Sequence, residues 1–202
     1  YLVAMGLVVV LSDIGTSLRV NSRDMQSFFS TASKLLIAGT TLLLLATPLV
    51  LRSWRALKVA PVASKNIYEQ QYQMARFVRQ YYSGKTIVAN DIGALSYYGH
   101  ARIIDSVGLG NSTIARLRKA GSYNTNELDR IARKAGATIT ITYYNMPDNW
   151  TRVGEWTIKN NVVCAHETVF FYASDAEQAQ RLRSQLTSFS SRLPEGVTFK
   201  VY

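Results

Sequence analysis

The side chains best suited to chemistry stand in one segment, residues 88–110, which reads VANDIGALSYYGHARIIDSVGLG. Asn90 and Asp91 come directly after a short apolar run, and Asp105 ends the next one. Ligands of open α/β sheets collect at the carboxyl ends of strands, so these polar groups could line one cleft. Tyr97 adds a ring that could stack on a sugar or a base. We therefore predict a candidate cleft lined by Asn90, Asp91, Tyr97 and Asp105.

The same residues also have a purely structural interpretation. Asp91 could cap the helix that follows it, Gly93 could allow close packing, and Asp105 could hold a turn. The backbone N–H groups of an Asp-x-Gly turn suit an anion, but the Asp91 carboxylate would repel one. The residues alone leave both interpretations open.

Several other kinds of site find no support in the sequence. Gly108 and Gly110 do not complete a dinucleotide-binding motif, and there is no phosphate-binding loop or nucleophile elbow. Cys164 is the single cysteine, which excludes an internal disulfide framework and a cysteine-rich zinc site. His100 and His166 are far apart in sequence, which argues against a histidine-based metal centre. The sequence therefore indicates no metal site and no catalytic residue, and it leaves any cofactor unknown.

Basic residues cluster on two successive predicted helices. They are Arg116, Arg118, Lys119, Arg130, Arg133 and Lys134. Such a cluster is either a solvated face or a surface for anionic headgroups or phosphate. The formal net charge of +10 favours anionic partners, and we expect membrane lipids rather than nucleic acid.

Apolar residues make up 48% of the chain and are unevenly distributed, which divides the chain into two different regions. These regions must position the residues described above. Residues 35–51 (LLIAGTTLLLLATPLVL) contain no charge and lie between Lys34 and Arg52. At about 1.5 Å per residue they cover roughly 26 Å, slightly less than a ~30 Å hydrocarbon core. Trp54 is a suitable interfacial anchor. We predict a full span at 35–51 and the end of another at 1–11; the alternative is a buried helix of a soluble protein.

We predict that residues 59–202 form one extramembrane α/β domain and that residues 1–58 form the transmembrane region. The periodicity predicts helices over 66–82, 112–120, 126–135 and 175–192, and strands over 86–89, 101–105, 137–143, 155–164, 167–173 and 197–202. We expect Asn66 to cap the first helix and Ala165-His166 to turn a hairpin. This alternation favours a three-layer arrangement with a mixed sheet.

Four segments carry a family resemblance: YLVAMGLVVV, NIYEQQYQMARFVRQYY, VANDIGALSYYGHARIIDSVGLG and WTIKNNVVCAHETVFFYA. They look like the C-terminal portion of a family of bacterial polytopic membrane proteins that is similar to GT-C-type glycosyltransferases. The resemblance implies a polyprenyl-phosphate sugar as donor and a glycan or lipid as acceptor. It also implies a catalytic acid in an extracytoplasmic loop that these 202 residues lack, so no catalytic residue is carried over. The opening Tyr1, with no Met or charged segment, agrees with a fragment.

The resemblance and the charges disagree on orientation. Arg52, Arg55, Lys58 and Lys65 follow the span, so the positive-inside rule places the domain in the cytoplasm. The resemblance implies an extracytoplasmic domain on the bacterial inner membrane, which we take as the expectation. The predicted function is the C-terminal domain and last spans of a membrane glycosyltransferase, covering the site or aiding acceptor binding. The alternatives are a non-catalytic, membrane-tethered ligand-binding or sensor domain, and a domain that only stabilises the helices.

Overall fold

A computed structural model describes Val8, Ser12 and residues 25–202, with side chains in the first helix from residue 32 onward. Contacts within the chain divide it into two units, residues 1–58 and residues 59–202. The predicted end of a span at residues 1–11 lies, apart from Val8, outside the described residues.

Helix α1, Met25–Ile67, contains the whole of the predicted span 35–51. Its leucines are exposed, and Leu36 and Leu44 are 72% and 69% exposed. By length and composition, residues 32–81 contain one helix that is long and apolar enough to cross a membrane, and none of its most apolar window is buried. The sequence prediction of a long apolar helix is therefore confirmed.

Helix α1 continues without a break into a π-helical turn, Tyr68–Tyr72, and then into helix α2, Gln73–Tyr81. The helix predicted here is confirmed, but the prediction that Asn66 caps its start is wrong. Asn66 is buried inside the helix, where its Nδ2 donates to the Lys159 carbonyl at 3.3 Å and its Oδ1 accepts from the Val162 N–H at 2.9 Å. This amide therefore fastens the helix to a distant loop.

The rest of the described chain alternates strands and helices. The strands are β1 (Thr86–Ala89), β2 (Arg102–Asp105), β3 (Ile139–Thr142), β4 (Thr151–Thr157), β5 (Thr168–Ala173) and β6 (Thr198–Val201); the helices are α3 (Gly93–Tyr98), α4 (Ser112–Lys119), α5 (Thr125–Lys134) and α6 (Ala176–Ser190). The six strands form one sheet in the order β2-β1-β3-β5-β4-β6. Strands β2, β1 and β3 are parallel, and the remaining pairings are antiparallel. The predicted α/β class with a mixed sheet is confirmed.

Local signals explain most of these boundaries. Asp175 caps α6 by accepting a hydrogen bond from the Gln178 N–H at 2.9 Å, and Asn124 caps α5 in the same way through the Glu127 N–H. Gly136, at φ +71°, follows α5 in the left-handed conformation that commonly ends a helix. Short polar side chains and one glycine therefore set three of the helix ends.

The predicted hairpin is present, but its first strand was placed too far along the chain. Strand β4 covers Thr151–Thr157 rather than 155–164, and residues 158–167 form a loop. In this loop the Asn161 side chain accepts from the Cys164 N–H at 2.8 Å and donates to the Cys164 carbonyl at 2.7 Å. The asparagine thus takes up backbone groups that a longer strand would need for pairing.

Two hydrophobic clusters lie on opposite faces of the sheet, as strand β1 shows. Its Ile87 and Ala89 belong to a cluster with residues of α2 and α6, whereas Val88 between them belongs to a cluster with residues of α4 and α5. In the first cluster the ring of Phe77 meets the ring of Trp156 edge to face, with 5.8 Å between centroids. Helices therefore cover both faces of the sheet.

Strands β1, β2, β3 and β4 all end on the same side of the sheet, because β4 is antiparallel to β5 and β5 is antiparallel to β3. We call this side the carboxyl end of the sheet. The loop at 158–167 lies there too, since it follows β4. Residues after β1, β2 and β3 are thereby brought together with that loop.

Candidate functional site

Four polar side chains form a hydrogen-bonded group at the carboxyl end of the sheet. We call Gln70, Gln71, Asp91 and Tyr143 the Asp91 cluster. The Asp91 Oδ2 atom accepts a hydrogen bond from Gln71 Nε2, and the Tyr143 hydroxyl shares its single hydrogen between this atom, at 3.1 Å, and Gln70. The same hydroxyl lies 2.8 Å from Gln70 Oε1. The carboxylate, the amide and the phenol thus come from three different places, the end of β1, the π-helical turn and the end of β3.

The π-helical turn supplies both glutamines. A π-helical turn contains one residue more than an α-helical turn, and such turns are frequent at functional sites. Gln70 is fully buried, and its Nε2 donates to the carbonyls of His166 at 3.1 Å and Glu167 at 2.9 Å. Because both amide hydrogens are used in this way, Gln70 Oε1 is left to accept from Tyr143. The amide thereby ties the helix, the loop and the strand end together.

Burial sets the chemical state of the two potential nucleophiles nearby. Desolvation raises the pKa of the Tyr143 hydroxyl, and the negative charge of Asp91 raises it further. Desolvation, with a smaller contribution from Asp91, raises the pKa of the Cys164 thiol to about 11. Both groups therefore keep their protons at neutral pH, and neither is activated for attack. Tyr143 serves as a hydrogen-bond donor.

The four residues of the predicted cleft have different roles in the structure. Asn90 is half-buried beside Asp91, and its Oδ1 accepts from the Tyr143 N–H at 3.2 Å, so it helps to hold the end of β3. Asp105 is buried, and its carboxylate closes its own loop by accepting from the N–H groups of Val107 at 2.8 Å and Gly110 at 2.6 Å. Asp105 therefore holds a turn, as the structural interpretation proposed.

Asp91 does not cap a helix, since α3 begins without a side-chain cap. Gly93 is not closely packed either, because a Cβ atom there would meet nothing within 4 Å. For these two residues the structural interpretation is wrong. Asp91 is instead half-exposed at the end of β1, with Oδ2 held by its neighbours. Its Oδ1 accepts no hydrogen bond from any residue that the structure describes.

Tyr97 belongs to a row of aromatic rings. We call Tyr68, Tyr72, Tyr98 and Tyr97 the tyrosine row. The rings of Tyr68 and Tyr72 stack at 5.7 Å between centroids, Tyr98 meets Tyr72 edge to face at 5.3 Å, and Tyr97 meets Tyr98 in the same manner at 4.6 Å. Tyr97 is 74% exposed and Tyr68 is 50% exposed. Two rings of the row come from the π-helical turn, which contains Gln71, and two come from α3, which begins two residues after Asp91.

His166 lies in the loop after β4, as predicted, with its ring exposed. The ring lies 5.8 Å from the ring of Tyr143 and 5.7 Å from that of Tyr144, measured between centroids. Tyr144 is 55% exposed. His166 thus borders the Asp91 cluster on the side of β3.

Half of the predicted basic cluster is engaged within the domain. Arg118 donates to the Ser106 carbonyl at 3.1 Å and lies over the Tyr123 ring. Arg133 pairs with Asp129 at 2.7 Å, and Arg130 pairs with Glu127 at 2.7 Å. These three arginines therefore hold loops and helices, which leaves Arg116, Lys119 and Lys134 as the more available cations of this surface.

A cleft of about 430 Å³ lies beside the other part of the π-helical turn. It is lined by Lys65, Tyr68, Glu69, Pro194, Glu195 and Gly196. Glu69 is buried, and its carboxylate lies 3.6 Å from Lys65 Nζ. No group of three or more metal-ligating side chains occurs among the residues that the structure describes.

Sequence reasoning missed the two glutamines and Glu69. They stand inside a segment whose periodicity reads as an ordinary helix, and nothing in that pattern marks an extra residue in one turn. Tyr143 also has no place in the predicted cleft. The available signal was its position directly after the clearest strand, ATITITY, where a polar group reaches the carboxyl end of the sheet.

Comparisons with known proteins match one family. A family model described as "Domain of unknown function (DUF8728)" matches residues 65–172, slightly more than half of the chain. The matched residues include every member of the Asp91 cluster and of the tyrosine row. No curated protein matches the chain, and no solved structure matches it.

Proposed function

Because the chain belongs to the family described as a domain of unknown function (DUF8728), we propose its function from the site itself. We propose a membrane-anchored domain that binds an acceptor glycan at the carboxyl end of its sheet. In this proposal residues 1–202 form the C-terminal part of a membrane glycosyltransferase that uses a polyprenyl-phosphate sugar. The family resemblance described above supports the transfer chemistry, and the Asp91 cluster supports the binding site.

The exposed apolar face of α1 supports membrane anchoring. Leu36, Leu43 and Leu44 are each at least 66% exposed, and burying one such side chain in hydrocarbon stabilises a protein by about 2 kcal/mol. A bilayer supplies that burial. Lys34 and Arg52 flank the span, where their charged ends can reach the headgroups.

The single observation that carries the binding proposal is the half-exposed carboxylate of Asp91. Gln71 and Tyr143 fix its Oδ2 atom, so the carboxylate is already oriented before a ligand arrives. Its Oδ1 atom accepts from no described residue and is free to accept a hydroxyl hydrogen. A fixed carboxylate beside exposed tyrosine rings suits a sugar, which offers hydroxyl donors and apolar C–H faces.

In the complete protein, the acceptor hydroxyl oxygen would attack the anomeric carbon of the donor sugar. The new C–O bond forms while the bond between that carbon and the phosphate oxygen breaks, and polyprenyl phosphate leaves with the electron pair. The acceptor proton passes to the carboxylate of an Asp or Glu, acting as the base, which the resemblance places outside these 202 residues. The role proposed for Asp91 is to orient the acceptor, so Asp91 is a binding residue rather than the base.

A transfer assay in membranes containing the intact protein tests this proposal. Asp91→Asn keeps the shape of the side chain but weakens its acceptance of hydroxyl hydrogens. We expect it to raise the acceptor KM severalfold and to leave the donor KM unchanged. Asp148→Asn, an exposed loop position, is the matched control. Unchanged acceptor kinetics in Asp91→Asn, or a protein that transfers no sugar from a lipid carrier, would overturn the proposal.

A second candidate is a non-catalytic ligand-binding or sensor domain. The raised pKa values of Tyr143 and Cys164 favour it, because the two nucleophiles nearest Asp91 keep their protons. This candidate predicts oligosaccharide or nucleotide binding without any sugar transfer, so the same membranes separate the two functions.

We propose that residues 59–202 lie outside the cytoplasm of a bacterial inner membrane. Cys164 is a poor reporter of orientation because it is buried and its pKa is raised to about 11. A better probe is Ser122→Cys, at an exposed position, in a chain that also carries Cys164→Ser. Labelling by a membrane-impermeant maleimide in intact cells supports the proposed side, and labelling only after lysis contradicts it.

A further inference from the structure

The hydroxyl groups of the tyrosine row differ from those of most other tyrosines in the domain, although Tyr81 and Tyr144 also lack a partner among the described residues. Five tyrosine hydroxyls donate to acceptors inside the protein; they belong to Tyr82, Tyr123, Tyr143, Tyr172 and Tyr202. No hydroxyl of the tyrosine row has a partner among the residues that the structure describes. Buried phenols usually find a partner, and these four hydroxyls remain available to one from outside.

The row also differs from three other tyrosines in what covers its rings. Lysine and arginine side chains lie over the rings of Tyr82, Tyr123 and Tyr202, at 4.3 to 5.7 Å from their centroids. Within the described part of the chain, no cation lies over a ring of the row. Lys65 and Glu69, which line the same cleft as Tyr68, form an ion pair with no net charge. The row is therefore an uncharged aromatic surface with open faces.

The row is continuous with the Asp91 cluster along the chain. Tyr72 follows Gln71 directly in the π-helical turn, and Tyr97 and Tyr98 end the helix that begins two residues after Asp91. Helix α3 packs against the π-helical turn, which is what brings Tyr98 onto Tyr72. A ligand that reaches Asp91 can thus extend over several rings.

We infer that the tyrosine row binds an uncharged oligosaccharide of at least two sugar units, which extends from Asp91 across the rings. This inference rests on the proposed function, because it names the class of acceptor that the site takes. Pyranose C–H groups lie on the ring faces, and sugar hydroxyls pair with the free phenols. An anionic glycan fits less well, since the row offers no cation. A lipid tail fits less well because it leaves the phenols unpaired.

Titration of the intact chain in nanodiscs with neutral and sulfated glucose hexasaccharides tests the inference. We expect the neutral hexasaccharide to bind and Tyr97→Ala to weaken its binding about three- to tenfold, as for the loss of one aromatic contact. Tyr97→Phe keeps the ring and should retain most of the affinity. Tyr202→Ala removes an exposed tyrosine that lies outside the row and is the matched control.

The possible results are distinguishable from failure of the proposed function. Binding that is lost in Asp91→Asn but unchanged in Tyr97→Ala overturns the row as the site and leaves the Asp91 proposal standing. Tyr97-dependent binding without sugar transfer supports the row while contradicting the transfer function. Preference for the sulfated hexasaccharide, or no binding of the neutral one, overturns the inference.

Discussion

Removing the Tyr143 hydroxyl is the sharpest test of the Asp91 cluster. In Tyr143→Phe the ring remains in place, but Gln70 Oε1 loses the donor that lies 2.8 Å away. Gln70 is fully buried and both its amide hydrogens are already used, so the amide cannot turn to find another partner. An unpaired buried acceptor costs about 1–3 kcal/mol.

The second bond of this hydroxyl contributes less to the expected loss. Asp91 is half-exposed and keeps the hydrogen bond from Gln71, so water can replace the phenol there. We therefore expect Tyr143→Phe to lower the free energy of unfolding by about 2 kcal/mol, which corresponds to roughly 6 °C in Tm for a unit of this size.

Thermal unfolding of the intact chain in detergent measures this loss through the fluorescence of the buried Trp150 and Trp156. Tyr97→Phe is the matched control, because it removes an exposed hydroxyl that has no partner in the described chain. We expect the control to change stability by less than about 0.5 kcal/mol. Equal Tm values for the two variants would refute the hydrogen-bonding scheme of the cluster.

Three further predictions concern other sites. Gly196→Ala would place a Cβ atom against the buried Glu69 carboxylate. We expect this variant to be destabilised by about 1–3 kcal/mol in the same unfolding assay. An unchanged Tm would contradict the close packing of Gly196 against Glu69. Trp150→Phe removes the indole N–H that donates to Asp129 at 2.6 Å. We expect urea unfolding to show a free energy of unfolding that is lower by about 1–2 kcal/mol. An unchanged free energy of unfolding would contradict this hydrogen bond. Burial raises the pKa of the Cys164 thiol to about 11, whereas the surface cysteine of Ser122→Cys has a pKa of about 8.5. We therefore expect iodoacetamide to alkylate Cys164 about two orders of magnitude more slowly than that cysteine at pH 7.5, with a rate that rises as the pH approaches 11. Equal rates at pH 7.5 would show that the Cys164 thiol is exposed.

Periodicity and capping residues are sufficient to predict most of the elements. Strand β1 was predicted over 86–89 and is observed at Thr86–Ala89, because a short β-branched run between turn residues has few alternatives. The cap at Asp175 was also predictable, since its carboxylate suits the start of a helix. The end of β4 was predicted less well, because the hydrogen bonds of Asn161 in the following loop are not visible in the hydropathy pattern.

The candidate site was only partly predictable, for a physical reason. Asp91 could be proposed because a polar residue after a parallel strand reaches the carboxyl end of the sheet whatever surrounds it. Asp105 satisfies the same rule, but two backbone N–H groups of its own loop occupy its carboxylate. Gln70 and Tyr143 are 73 residues apart, and their pairing depends on how the helix packs on the sheet. Sequence patterns report local geometry and leave such long-range pairings undetermined.

The Asp91 cluster depends on the one extra residue in the π-helical turn. A turn of this kind differs from an α-helical turn by a single inserted residue, so it can be gained or lost in one step. Losing a residue within Tyr68–Tyr72 would rotate the preceding side chains by about 100° relative to α2 and move Gln70 away from Tyr143. We therefore expect relatives with a one-residue gap at this point to have lost the glutamine–tyrosine pair as well, even where every strand is retained. A gap that small would then mark the members of the family that lack the Asp91 cluster.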